Sequence, residues 1–359
     1  MLGPAPLIGW RRHGPWTVLR AERDGDPRTV IVKWLRDQSD GVRADPSQPV
    51  TECVALRLLA GLGSDVPPRV LGADLRGSVL ILEDLAPRVP LAELLSPGSD
   101  GAARATGLRE LGAALGRLHA ATAGHERRYH RRRARYGPVD PPAERMRFVT
   151  PWRDVAALAA ALDVPIAGGV ERDLAAAIGE LVEPGPFLAM SNGDAEANNL
   201  LVDGGGGGGR LIDFEFAGFR HALCDVSCLY VPGPMWMAVA DPSTDGSESA
   251  YRGAVAGAVP EAGDDRRYGV GIASAALACA VHRLGRLRVL DGRGPGDRSR
   301  LQMICLLDAA AAVATRFGAH PHLAGWAGRV AERLRRRWSD AGADPATIPA
   351  YTRRHPLPA

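Results

Sequence analysis

The sequence predicts an α+β chain of two lobes, a small strand-rich N-terminal part and a larger, mainly helical C-terminal part. Three observations predict it. The first 85 residues carry short β-branched and apolar runs separated by glycine- and proline-bearing turns. From about residue 100 the character changes to alanine- and leucine-rich stretches with helical periodicity. Residues 192–215 interrupt those helices with two short apolar runs around a glycine-rich turn. At 359 residues the chain is long enough for two domains or for one domain with two lobes.

The elements follow in order. Trp16 to Ala21 and Arg28 to Leu35 read as strands joined by the turn Asp24-Gly25-Asp26-Pro27. Residues 36–50 are polar and read as a loop. Glu52 to Leu62 reads as a helix, with Thr51 or Ser47 as its cap and Gly61 and Gly63 near its end. Val70 to Ala73 and Val79 to Glu83 are two further strands around an Arg76-Gly77 turn. Ala103 to Thr122 is a long amphipathic helix with Leu108, Leu111, Leu115 and Leu118 on one face. Helices are predicted at about 153–163, 170–183, 266–290, 298–317 and 322–340, and the proline-rich tail from 341 reads as loose.

Composition excludes several function classes. A net charge of +3 is too small to argue for nucleic acid or an anionic membrane. Residues 126–136 interleave arginines with Tyr129, His130 and Tyr136, a pattern that a solvated helix end explains more simply than anion binding. The apolar stretches are broken by charge or proline short of a membrane span, and Met1 to Arg12 lacks the apolar core of a signal peptide. The five cysteines (Cys53, Cys224, Cys228, Cys279, Cys305) are odd in number and scattered, as reduced core residues of a cytoplasmic protein are. Cys224 and Cys228, four apart, lack a second ligand pair nearby, and a helix face accounts for their spacing better than zinc does.

Two features carry chemistry. In the 192–215 segment Asp194 stands five residues before Asn199, the run Leu200 to Val202 follows, and after the turn Gly204–Gly209 the run Leu211-Ile212 ends in Asp213. Such a hairpin brings three oxygen ligands into one small volume, the set that magnesium-dependent phosphoryl transfer requires. The second feature is Lys33, the sole lysine among 44 basic residues. A bias this strong suits a GC-rich genome, and a lysine that persists marks a place where a broad guanidinium is a poor substitute for a slim ammonium. Lys33 lies in the apolar run Thr29 to Trp34. Taken alone it reads as a surface lysine of an edge strand; beside the 192–215 segment the balance reverses toward a functional lysine.

Together these residues resemble the aminoglycoside phosphotransferase and choline kinase-like branch of the protein-kinase-like fold, with a likeness to actinobacterial phosphotransferases of undefined substrate. The resemblance covers roughly residues 15–310. It is carried by Asn192-Gly193-Asp194, Asn199 and Ile212-Asp213-Phe214-Glu215, by Gly112 to Ala120 ending in Leu-His, and by Phe214 to Asp225. It implies an antiparallel-sheet N-lobe over 1–85 that binds nucleotide, a helical C-lobe over 86–345 with the catalytic loop and acceptor site, and a loose tail over 346–359. Asp194 matches the acid that accepts the proton of the acceptor hydroxyl; a turn-capping carboxylate is its structural alternative. Asn199 and Asp213 match the two metal ligands, with Asn198 one position away from Asn199 and a turn acid as the plain reading of Asp213. Lys33 matches the lysine on the α- and β-phosphates, and Glu52 the glutamate that pairs with it, with Glu22 as a rival. Glu83, Asp84 and Leu85 occupy the hinge, where backbone groups meet adenine and the side chains need not matter. Asp225 matches an acid that braces the catalytic loop.

The resemblance therefore implies a small-molecule kinase that uses Mg2+ and ATP or GTP and phosphorylates a hydroxyl of an aminoglycoside-like, amino-alcohol or sugar acceptor, in the cytoplasm and with no nucleic acid or membrane partner. A nucleotide-binding pseudokinase, a ligand-sequestering protein, and nucleotidyl transfer by the same fold are the alternatives. Three departures from the family pattern stand out. Asn192 replaces the usual histidine but keeps donor and acceptor capacity. Glu196, two residues after Asp194, puts an acid where protein kinases have a lysine, which suits a cationic, amine-bearing acceptor. No glycine-rich phosphate loop is evident between Leu19 and Val30. The acceptor wall is expected after residue 232, with Pro232 to Met237, Trp236 and the acidic stretch Asp241 to Glu248 as candidates against a background of ordinary packing.

Overall fold

The computed structural model describes residues 6–12, 18–34, 45–95, 98–166, 168–203, 207–233, 241–294 and 298–341. In the N-terminal part, β1 (Leu7–Arg12), β2 (Val18–Arg23), β3 (Thr29–Trp34), β4 (Val70–Asp74) and β5 (Val79–Glu83) form one sheet in the order β1-β2-β3-β5-β4. All its pairings are antiparallel. The β-branched run of β3 occupies the centre, with Lys33 opposite Val18 on one side and Leu80 on the other. The edge-strand reading of Lys33 is thereby excluded. Helix α1 (Gln48–Gly61) buries Cys53, Leu56, Leu58 and Leu59 in the core and carries Glu52.

The C-terminal part opens with β6 (Val89–Pro90) and α2 (Leu91–Leu94). Four helices follow: α3 (Gly101–Thr122), α4 (Glu126–Arg133), α5 (Pro141–Met146) and α6 (Trp152–Leu162). Helix α7 (Gly168–Val182) precedes the short strands β7 (Leu188–Ser191), β8 (Leu200–Val202), β9 (Arg210–Leu211) and β10 (Gly218–His221). The remainder is helical: α8 (Leu223–Val226), α9 (Ser247–Val255), α10 (Asp265–Leu284), α11 (Leu287–Asp291), α12 (Arg298–Arg316) and α13 (Pro321–Arg337). The predicted hairpin forms, with Leu200 opposite Leu211. Strand β6 extends it by pairing with β8, so the start of the helical lobe is tied to the 192–215 segment.

The α+β class and the strand-then-helix order match expectation, and several elements do not. Strand β1 was not expected; its Leu7, Ile8 and Trp10 are mostly exposed, so they give no buried period-2 signal. The arginine-rich run 126–136 is partly the helix α4, with Tyr129 and His130 buried. Its Arg132 donates to the Arg57 carbonyl (3.3 Å) near the C-terminal end of α1, which favours cations, so part of the run caps a helix. Part of the stretch Asp241 to Glu248, expected as an acceptor wall, begins α9: Glu248 is buried against Arg252 and Arg316. The ends of the first two predicted strands at Trp16 and Leu35, most of the loop 36–50, part of the turn Gly204–Gly209, residues 234–237 with Trp236, and the tail from 342 lie outside the described residues. All five cysteines are free, Cys53 buried and the other four half-buried. Among the described residues no helix is long and apolar enough to cross a membrane.

Helices α3 and α9 pack at close range, and glycine makes this possible. A Cβ at Gly112 would run into the Ser247 carbonyl oxygen, and one at Gly116 into the Ala254 side chain and the Tyr251 carbonyl. Backbone cannot yield as a side-chain tip can. Gly112→Ala is therefore expected to cost about 1–3 kcal/mol despite the better helix propensity of alanine. Thermal denaturation reads this directly, and an unchanged or higher Tm would show that α9 shifts freely.

Candidate active site

Two charged groups from distant parts of the chain meet at one place. From β3, the Lys33 Nζ lies 2.8 and 2.7 Å from the two carboxylate oxygens of Glu52 and also contacts Asp213 Oδ1. Lys33 and Glu52 are buried, 6% and 1% exposed, which places the pair beyond the range of a surface ion pair. Glu22, the rival partner, is exposed on β2. Glu52 also accepts from the backbone N–H of Phe214 (3.3 Å), so α1 grips the segment that presents Asp213. Asp213 itself adopts a left-handed backbone (φ 65°), a conformation costly for a residue other than glycine.

Asp213, Glu52 and Glu215 form a carboxylate cluster whose oxygens lie within 4.8 Å of one another. A single ammonium faces three acids. Burial opposes the Lys33 charge, but Asp213, Glu52 and Glu215 outweigh it and hold its pKa above the ordinary lysine value. Burial pushes the Glu52 carboxyl up even beside Lys33, and the Asp213 charge adds to the rise. Glu215, the last residue of the Ile212-Asp213-Phe214-Glu215 motif, was given no role from the sequence; it stands two residues after Asp213 and is buried. The local excess of hard oxygen donors fits a divalent cation such as Mg2+.

The second group is the loop after β7. Asp194 is half-buried, and Asn199 Nδ2 donates to its carboxylate (3.0 Å) and to its carbonyl (2.7 Å). The contact is made by Asn199; Asn198 instead donates through its Nδ2 to the Asn199 side-chain Oδ1 (2.8 Å). Burial, then the charge of Asp213, raise the Asp194 pKa from 3.8 to about 6, against the pull of the Asn199 hydrogen bond. Asn192 fills the scaffolding place expected of it. Its Oδ1 accepts from the Asp194 N–H (3.1 Å), and its Nδ2 donates to the carbonyls of Ile212 (3.1 Å) and Asp213 (3.2 Å). One amide thus locks the Asp194 loop to the Asp213 segment.

Below the loop, Asp225 accepts from the Asn192 N–H (2.7 Å), the Gly193 N–H (3.4 Å) and the Ser191 hydroxyl (2.6 Å). Burial pushes its pKa up, but His119 (3.5 Å) first, and then the Ser191 and Asn192 bonds, outweigh it, and the pKa is lowered. Gly193 has φ 83°, and a Cβ there would collide with the Phe216 carbonyl. At the hinge, Asp84 is held bidentate by Arg20 (2.6 and 2.7 Å). Glu83 accepts from Arg210 (3.2 Å) and from the Arg69 N–H (3.1 Å), and Leu85 is buried. The side chains of Glu83, Asp84 and Leu85 are thus all engaged by the protein.

Beside Asp194 opens a cavity of about 320 Å³, lined in part by Phe148, Glu196, Arg220, Cys228 and Arg283. Its wall includes Pro232 and Gly233, as the sequence suggested. Phe148, Arg283 and the later Arg286 carried no motif signal, and Arg220, although inside the matched segment Phe214 to Asp225, was given no role. They come from α10, β10 and the loops after α5 and α10, and only the tertiary fold gathers them.

A model of the phosphotransferase enzyme family matches residues 24–258, more than half of the chain. No curated protein matches the chain. Among solved structures it is similar to a choline/ethanolamine kinase family protein from Mesorhizobium loti, at 21% identity over 91% of this chain and 93% of that one, with a TM-score of 0.48. A choline kinase from Streptococcus pneumoniae is 14% identical over 85% and 94% of the two chains (TM-score 0.44). An ethanolamine kinase from Plasmodium vivax is 12% identical over 86% and 81% (TM-score 0.48). The family match spans both lobes and every charged group of the site from Lys33 to Asp225, and the two-lobed architecture is protein-kinase-like: the chain belongs to the phosphotransferase enzyme family.

Proposed function

We propose that this enzyme is a small-molecule kinase that transfers the γ-phosphate of ATP or GTP to a hydroxyl group. The observation that carries the proposal is the meeting of Lys33, Glu52 and Asp213 with the Asp194–Asn199 loop, linked through Asn192. Asp194 accepts the proton of the acceptor hydroxyl. The freed oxygen forms a bond to the γ-phosphorus, and the bond from that phosphorus to the β–γ bridging oxygen breaks, releasing nucleoside diphosphate. Asn199 and Asp213 would hold Mg2+, which would supply charge neutralisation on the transferred phosphates. Lys33 neutralises the α- and β-phosphates, and Glu52 fixes the direction of its ammonium. Adenine or guanine meets the hinge backbone near Glu83 to Leu85. Asn192 and Glu196 lie beside these groups and leave the chemistry intact.

The test is nucleoside diphosphate release from ATP or GTP with magnesium and a panel of hydroxylated amines, sugars and acids. Turnover is expected with some acceptor, to stop on chelation with EDTA, and to return with added magnesium. Nucleotide binding without turnover on any acceptor would favour the pseudokinase reading. Release of pyrophosphate would favour nucleotidyl transfer.

A further inference from the structure

We infer that the acceptor carries an anionic group, a carboxylate or a phosphate, in addition to its hydroxyl. This rests on the kinase reading above and names the substrate class of the same site. The cavity beside Asp194 is lined by Arg145, Arg220, Arg283 and Arg286. Its acids are Asp194, Glu196 and Asp225.

The charges on the two sides are spent differently. Asp225 is consumed by Ser191, Asn192 and Gly193 and offers nothing to a ligand. Glu196 is buried (8% exposed), packs against Gly233, and has Arg283 at 3.9 Å. Its charge is offset within the wall, so it does not mark a cation site as the sequence suggested. Asp194 is held by Asn199 for the reacting hydroxyl.

Among the arginines, Arg145 is paired with Glu126 (2.6 Å). Arg220 is not paired with an acid among the described residues. It donates to the Ser191 hydroxyl and the Phe216 carbonyl (both 3.1 Å) and lies over the Phe148 ring at 5.2 Å, and its buried Nε has no hydrogen-bond acceptor. Arg220 is 2% exposed, and the neighbouring Glu144 stands outside ion-pair range and is taken up by His130 (2.9 Å) and the Phe219 N–H, so this buried cation bonds no carboxylate directly. At the rim, Arg286 is exposed and has no carboxylate in ion-pair range among the described residues. Close by, Arg147 stacks on Phe148 (5.7 Å) and Phe216 (4.8 Å), and burial, with repulsion from Arg220, lowers its pKa. Residues 234–240, which follow the cavity wall in sequence, contain no charged side chain and add no acid. A cavity whose wall and rim carry guanidinium groups that bond no carboxylate directly repels choline-like amines and attracts planar or tetrahedral oxyanions, which a guanidinium binds bidentately.

The test uses the full-length chain with four probes at matched ionic strength: D-glycerate, 3-phosphoglycerate, choline and kanamycin. Binding is read by thermal shift and by calorimetry. Glycerate or phosphoglycerate is expected to bind, and which of them binds tighter separates carboxylate from phosphate recognition. Arg286→Gln, a change at an exposed position, is expected to weaken that binding by about tenfold or more. In turnover with an anionic acceptor it is expected to raise KM far more than it lowers kcat. The inference is overturned if choline or kanamycin binds as tightly as the anions, if no anion binds, or if Arg286→Gln binds them as wild type does. Phosphate transfer confined to cationic acceptors would sink this inference and leave the kinase reading standing. Anion binding without transfer to any acceptor would do the reverse.

Discussion

Asp194→Asn is expected to lower turnover by about a hundredfold to ten-thousandfold while largely sparing nucleotide binding. The substitution keeps the size of the side chain and its contact with Asn199, and removes only the capacity to take a proton. In the wild type the carboxyl must be ionised to act as base, and its pKa is raised to about 6. The rate under limiting acceptor is therefore expected to fall as pH drops through about 6 rather than through the ordinary aspartate range near 3.8. The same shift has a thermodynamic consequence of known sign. A carboxyl whose pKa is higher in the folded state than in the unfolded chain destabilises the fold once ionised. That cost is absent below 3.8, grows between 3.8 and about 6, and is complete above. Asp194→Asn should thus be more stable than wild type at pH 8, by up to about 3 kcal/mol, and no more stable at pH 3.5. Thermal denaturation of both proteins at the two pH values, beside a nucleoside diphosphate release assay, checks each part. An active Asp194→Asn enzyme would remove Asp194 from the base role. A variant less stable at pH 8 would show that the carboxylate is better solvated in the fold than its surroundings indicate.

The parts of the site that were legible in the sequence are those whose chemistry is local. The spacing from Asp194 to Asn199 is fixed by one short turn, and the pairing of Leu200 with Leu211 follows from two apolar runs and a glycine turn. Lys33 was legible for a compositional reason, since a sole lysine in an arginine-rich chain stands out. Glu52 was legible only through the family pattern. Nothing local distinguishes it from Glu22, and what selects it is the 19-residue return of α1 to the face of β3. The cavity beside Asp194 was least legible. Arg220, Arg283 and Phe148 are ordinary residues of a strand, a helix and a loop, and only the packing of α10 with α7 and α8 puts them around one cavity. Glu196 shows how the fold adds a partner that the sequence does not display. As sequence it is an acid beside the catalytic loop, whereas in the fold Arg283 stands opposite it. Strand β1 was hidden because its apolar side chains face outward at the edge of the sheet.

Lys33→Met is expected to abolish detectable phosphate transfer and also to destabilise the fold, by about 3–5 kcal/mol. The two losses have different causes and can be separated. Transfer is lost because the α- and β-phosphates lose their point charge. Stability is lost because Glu52, 1% exposed, and Asp213 are left near Glu215 with no ammonium among them. Three acids within 4.8 Å cannot all stay ionised without a cation. Removing the acid that Lys33 was balancing should therefore restore the fold. Lys33→Met/Glu52→Leu is expected to recover most of the stability lost in the single variant, since an apolar pair of similar volume suits a site this dry, and to recover none of the activity. Lys33→Arg probes shape rather than charge. Its wider guanidinium must fit where the ammonium contacts two carboxylates on α1 and the Asp213 segment at once, so a loss of about 1–3 kcal/mol and of most activity is expected. Wild type, Lys33→Met, Glu52→Leu and the double variant form a double-mutant cycle, read with Lys33→Arg by urea denaturation and by the nucleoside diphosphate release assay. A Lys33→Met protein as stable as wild type would mean that the three acids find another counter-charge. An active double variant would mean that the phosphates are gripped elsewhere, and with it the account of why this chain keeps a single lysine would fall.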